Sequence, residues 1–155
     1  MIKNLRVYST DKFIINKKVI HRIVGLLNKD LNLTLLSLNI SFLSSQNILD
    51  INRKYLNHDF TTDIITFKYS KENDSLDGEI LISYKDAYFN SLKYHVSLDL
   101  EILRLVIHGI LHLIGFDDKT TKDKKVMKNL ENKLVNKLKN IFENKIVLNY
   151  DGENC

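Results

Sequence analysis

The run from Leu103 to Phe116 limits what this chain can fold into more than any other stretch. It is almost continuously apolar, which marks a helix buried within a globular core. It is too short to span a bilayer, and Glu101, Arg104, Asp117 and Asp118 border or enter it. Inside it stand His108 and His112. A spacing of four residues stacks two side chains on one helical face, one turn apart. Buried imidazoles need partners, because an unsatisfied polar group in an apolar interior is costly. An isolated H-x-x-x-H is more often a pair of satisfied core side chains than a metal site. Here Gly115 supplies a helix stop, and Asp117 and Asp118 follow where a third ligand is needed. Two nitrogens and one carboxylate, with a position left for water, make a catalytic zinc shell. Spacing alone lets either Asp117 or Asp118 complete it.

Residues 108–118, His-Gly-Ile-Leu-His-Leu-Ile-Gly-Phe-Asp-Asp, resemble the signature H-G-x-L-H-L-x-G-Y/F-D-H of the YbeY family, the bacterial rRNA-maturation endoribonucleases. Every position fits except the last, where Asp118 replaces the third histidine. Alignment with the family therefore favours Asp118 as third ligand. A carboxylate there makes bound water harder to deprotonate than three neutral imidazoles would, and it loosens the preference for zinc over manganese or iron. A second block, residues 51–67, is similar to the family's L-N-x-x-Y-R-x-x-D-x-P-T-D/N-V-L-S-F at Asn52, Tyr55, Asp59, Thr62, Asp63 and Phe67. Its arginine falls on Leu56, which cannot clamp a phosphate as a guanidinium can. Arg53, three residues earlier, and His58 are the neighbours that could cover for it, although both also read as ordinary surface residues. A looser match, Asp77 to Ser83, resembles the family's G-D-I-x-I-S strand.

The resemblance implies an α+β fold: a small mixed sheet with helices packed around it and the metal near its cleft. It also implies one Zn²⁺ per chain, held by His108, His112 and Asp118, and hydrolysis of phosphodiester bonds in single-stranded rRNA precursor. The small ribosomal subunit and ribosome-assembly proteins are the implied partners. The glutamate of the peptidase motif H-E-x-x-H is absent, since Gly109 occupies its place. The base must come from elsewhere. Asp117 either accepts a proton or orients a histidine, the second being favoured, and Asp59 is a further candidate carried over by resemblance. Two other classes stay open: a zinc hydrolase of another substrate class, and an RNA-binding assembly factor whose metal is structural. Leu56 keeps the latter in play.

Composition bounds these readings. A chain of 155 residues, 44% hydrophobic and 27% charged, suits one globular domain, expected over residues 1–145 with a polar tail at 146–155. A net charge of +4 is compatible with a polyanionic partner without demanding one. The lone cysteine, Cys155, cannot form an internal disulfide, and no signal peptide is apparent, so a cytoplasmic protein with no membrane partner is expected.

The remaining elements follow from periodicity. A strand is expected around Leu5–Tyr8, then a helix capped by Asn16 with Val19, Ile20, Ile23, Val24, Leu27 and Leu31 inward and His21 on the surface. Leu36, Leu38, Ile40 and Phe42 alternate with polar residues as a half-buried strand. Ser44 or Ser45 caps a short helix with Ile48, Ile51 and Tyr55 inward, and Lys71–Ser75 is an exposed loop. A helix over Tyr84–Tyr94 turns Ala87, Tyr88 and Leu92 inward and leaves His95 as a cap or surface residue. Thr120 and Asp123 have capping-box spacing ahead of a long helix. Its stripe runs Val126, Met127, Leu130, Leu134, Leu138, Ile141 and Phe142, and its other face is rich in lysine. Such a face is usually solvated, with RNA contact as the alternative.

Overall fold

The computed structural model describes residues 1–152; Cys155 lies outside the described residues. The chain runs β1 (Leu5–Tyr8), β2 (Phe13–Ile15), α1 (Lys17–Asp30), β3 (Thr34–Leu43), α2 (Ser45–Ile51), a π-helical turn (Asn52–Leu56), β4 (Ile64–Lys68), β5 (Ser75–Ser83), α3 (Tyr84–Lys93), α4 (Leu98–Leu113), α5 (Thr121–Phe142) and β6 (Val147–Tyr150). The four-stranded sheet has the order β1-β3-β5-β4, with β1 and β5 parallel to β3 and β4 antiparallel to β5. This is the expected α+β architecture with a mixed sheet.

The helices start where the cap residues dictate. The side chains of Asn16, Ser44, Ser97 and Thr120 each accept a backbone N–H three residues ahead, satisfying a donor that the first helical turn leaves open. Helix α4 is the central element, its buried face running Ile102, Leu103, Val106, Ile107, Ile110 and Leu111. Gly109 lets it lie close on the sheet. A Cβ there would stand 2.9 Å from two atoms of Ile80 on β5 and 3.1 Å from Ile64 on β4. That approach sets the depth at which His108 and His112 sit.

Several expectations are corrected. The stretch 146–155 is not simply a polar tail: Val147–Tyr150 is β6, which pairs antiparallel with β2. Two observations explain its order. Asp99, buried at the start of α4, accepts the backbone N–H groups of Ile146 (3.2 Å) and Val147 (2.8 Å). Tyr150 also packs edge-on against Phe13, Tyr84 and Tyr88. His21 is buried rather than on the surface, and its Nδ1 accepts the Ile2 N–H at 3.1 Å. Leu36 is exposed because the β3–β5 register shifts between Leu35 and Ser37, which moves the inward side to Leu35. Tyr55 is exposed because the wider π-helical turn rotates it out of the α2 stripe. On α3 the inward line is Tyr84, Ala87 and Ser91, so Leu92 faces out. On α5, Val126 and Ile141 lie at the exposed margin of a face centred on Met127, Leu134, Val135 and Leu138. Ser75 is the first, buried residue of β5 and not part of a loop.

Candidate metal centre

His108 and His112 project from the C-terminal half of α4 with ring centroids 4.7 Å apart and their Nε2 atoms 3.1 Å apart. The helix then closes on Gly115, whose φ of 103° is open to glycine at little cost. Phe116 donates its N–H back to the Leu111 carbonyl at 3.0 Å, so the chain folds under the helix end. That turn brings the Asp118 carboxylate to 3.9 Å from His112 Nε2. One ligand atom from each of His108, His112 and Asp118 lies within 4.8 Å of the other two. Asp117, the neighbour, instead accepts the Lys119 backbone N–H at 3.1 Å. That hydrogen bond, first among several causes, holds its pKa below the usual carboxylate value.

The donor set fits a metal ion. Nitrogen ligands about 2.0–2.1 Å from a tetrahedral ion stand about 3.3 Å apart, near the observed Nε2 separation. His108 Nδ1 lies 2.6 Å from Oε1 of Glu131 on α5. A carboxylate on Nδ1 fixes that nitrogen as the protonated one and leaves the Nε2 lone pair facing the other ligands. The Glu131 carboxylate is held in turn by Arg104, whose Nη1 donates to Glu131 Oε2 and Asn132 Oδ1, both at 2.7 Å. Burial disfavours the charged form of His108, but the hydrogen bond and charge of Glu131 outweigh it and raise the pKa. Burial likewise works against the Glu131 anion, and the hydrogen bonds from His108 and Arg104 reverse its effect, lowering the pKa. For His112, burial and then the charge of His108 lower the pKa, favouring the neutral ring that a metal requires.

A cavity of about 510 Å³ opens beside His108, lined also by Asp63, Asn90, Tyr94, Glu101 and Arg104. Asn90 spans its acidic wall, donating through Nδ2 to Asp63 Oδ2 at 3.0 Å and to Glu101 Oε2 at 3.3 Å. Burial pushes the Glu101 carboxyl up to about 7; the Asn90 hydrogen bond opposes this, and the charge of Asp63 adds to it. Asp63 is also raised, again chiefly by burial. A second cavity of about 230 Å³ lies on the other side, between His108, Asp118 and the first turns of α5.

Residues 6–139 match the family model described as Endoribonuclease YbeY. The chain belongs to the YbeY family. The Endoribonuclease YbeY of Azobacteroides pseudotrichonymphae is 44% identical over 125 residues, covering 81% of this chain and 89% of that one. That of Karelsulcia muelleri is 45% identical over 94 residues, 61% of this chain and 66% of its own. The solution structure of TM1509 from Thermotoga maritima superposes with a TM-score of 0.65 at 25% identity, covering 89% of this chain and 91% of that one.

The second YbeY block sits differently. Arg53 and Asp59 form an ion pair with each other, their side chains 53% and 78% exposed, and neither lines a cavity at His108. Leu56, at the family's arginine position, does not line those cavities either. His58 is an exposed loop residue stacked on Phe60, and His95 follows α3 in the left-handed conformation on the surface. Of the expected site residues, His108, His112 and Asp118 are brought together, Asp117 flanks them, and Arg53 and Asp59 are apart. Glu131, Arg104, Asn90 and Glu101 were missed from sequence. One signal was available: Glu131 interrupts the apolar stripe of α5 between Met127 and Leu134, where a carboxylate must have a partner. Glu101 sits two turns before His108, on the same side of α4.

Proposed function

We infer that the chain is an endoribonuclease acting in rRNA processing, with a metal ion held by His108, His112 and Asp118. The observation that carries this reading is the convergence of those three ligands, one of which, His108, is already oriented by Glu131. Zn²⁺, one per chain, is the proposed ion, because two imidazoles and one carboxylate form a borderline donor set that zinc accepts in tetrahedral sites. When bound, it supplies Lewis acidity for cleavage of a phosphodiester. The protein's own part is positional. Glu131 keeps the proton on His108 Nδ1, and Arg104 keeps Glu131 ionised and in place. Asp117 accepts the Lys119 N–H and so shapes the loop that presents Asp118. Asp59 and Arg53 carry no step in this reading, since each neutralises the other at the surface.

The proposed substrate is single-stranded rRNA precursor, and the proposed partners are the small ribosomal subunit and its assembly proteins. Both rest on the family. No helix among the described residues is long and apolar enough to cross a membrane. A cytoplasmic location is proposed from the rRNA substrate alone. A purely binding role with a structural metal is not favoured, because the relatives bear the name endoribonuclease. The test compares cleavage of a single-stranded RNA by wild type and His112→Ala, with metal content measured on both. Cleavage and metal are expected to be lost together; equal cleavage by the two proteins would remove the nuclease assignment.

A further inference from the structure

An RNA strand entering this centre meets a wall of carboxylates: Asp63, Glu101 and Glu131 line the larger cavity, and Asp118 the smaller. A polyanion needs a cation there. The family's arginine position is Leu56, and the neighbouring Arg53 is tied to Asp59. Arg104 is committed to Glu131 and Asn132. The lysines of α5 are different in kind. Lys124 and Lys128 are one turn apart, and both line the smaller cavity with His108 and Asp118. Lys128 also lines the larger one, so with His108 and Glu131 it borders both cavities. Both lysines are exposed, and no ion pair holds either of them among the described residues. Lys137, on the same helix, is by contrast neutralised by Asp30 at 2.7 Å.

We propose that Lys124 and Lys128 are the phosphate-binding pair of this site, gripping the RNA backbone on the α5 side of the metal centre. The cleft is thereby divided by charge. The α5 rim takes phosphates, and the acidic wall of Asp63, Asn90 and Glu101 faces the uncharged part of the nucleotide. The rest of the lysine-rich face is a solvated surface. The lysines have this task because Leu56 cannot perform it, and a primary ammonium on a flexible stem can follow a backbone phosphate without reading sequence. The inference rests on the endoribonuclease reading for its substrate class.

The experiment is equilibrium binding of a fluorescent, cleavage-resistant phosphorothioate single-stranded RNA to the full-length, zinc-loaded chain across a salt series. Cleavage of the unmodified strand is followed in parallel. Lys124→Gln and Lys128→Gln are each expected to weaken binding severalfold and to reduce the slope of log Kd against log salt by about 0.7, with additive loss in the double variant. Lys128→Arg should retain the slope, and Lys133→Gln, on the same helix but lining neither cavity, should leave it unchanged. Metal content should be the same in all. An unchanged slope in the double variant overturns the proposal, as does an equal loss in Lys133→Gln, which would mean diffuse charge attraction. So does a wild type that does not bind the strand. A wild type that binds with the expected slopes but does not cleave instead defeats the nuclease reading and leaves the lysine pair standing.

Discussion

Two stretches carry the family pattern, residues 108–118 and 51–67, and the fold treats them in opposite ways. In the first, the ligand cluster is supported through His108 by an element remote in sequence. His108 leans on Glu131 of α5, Glu131 on Arg104 of α4, and the helix bearing the histidines is pressed onto the sheet at Gly109. In the second, Arg53 and Asp59 face solvent and neutralise each other, the arginine position holds Leu56, and of the charged residues only Asp63, near the far end of the block, reaches the cavity beside His108. A motif thus marks where chemistry can sit. Whether it does depends on what the rest of the chain packs behind it. The first stretch has buried acids behind it, and the Arg53–Asp59 part of the second has water.

The largest effect should come from the ligands. Removing a supporting residue costs affinity, but removing a ligand removes the Lewis acid itself. His108→Ala or His112→Ala is expected to lower RNA cleavage on the order of a thousandfold, with loss of metal by elemental analysis. A variant that keeps its metal and its rate would place the centre elsewhere.

The next effect tests whether the packed support matters. Glu131→Gln keeps the shape and an acceptor for His108 but deletes the charge that faces His108 and Arg104. Metal affinity, measured by chelator competition, should fall by about 10- to 100-fold. If it does not, the contrast between a supported and an unsupported motif loses its energetic content.

A third prediction concerns the acidic wall of the cavity. The Glu101 carboxyl rises from 4.5 in the unfolded chain to about 7 in the fold. Between those values the folded protein holds a proton that the unfolded chain has lost, so the native state binds more protons. Stability contributed by this group therefore falls as pH rises from about 4.5 to about 7, and levels off above. Glu101→Gln should flatten that part of the melting-temperature profile in metal-free protein. Parallel profiles for the two proteins would show that the buried acid is not titrating there.

What sequence makes legible here is what is local. Helix α4, its histidines and the glycine stop were readable because a four-residue spacing, an apolar run and a turn residue all lie within a dozen positions. The same holds for α1 behind Asn16 and for β3 from Leu38 to Phe42. What escaped depends on distant partners. Strand β6 looks polar in isolation and is ordered by Asp99, 47 and 48 residues earlier in the chain. Glu131 reaches His108 across 23 residues. The buried His21 ring meets a backbone donor 19 residues earlier, Ile2, with β1 and β2 in between. Local phase shifts account for Leu36 and Tyr55. A bulge at Leu35 to Ser37 and a π-helical turn at Asn52 each displaced a side chain that regular periodicity places inside.

The smallest effect should come from the second stretch, and its smallness is the point. Arg53 and Asp59 are more than half exposed and pair with each other. Exposed ion pairs contribute roughly 0–1 kcal/mol, because water screens the attraction and two mobile side chains must be ordered. Arg53→Ala, Asp59→Ala and the double variant should therefore all unfold within about 1 kcal/mol of wild type and cleave RNA within about twofold. The double variant carries the comparison furthest. If the two residues only neutralise each other, their joint removal costs no more than either single change. If Asp59→Ala alone abolished cleavage while stability held, the loop would have to swing its carboxylate into the centre when RNA binds. The exposed motif would then be a site assembled by its substrate, where the metal end is built by the fold.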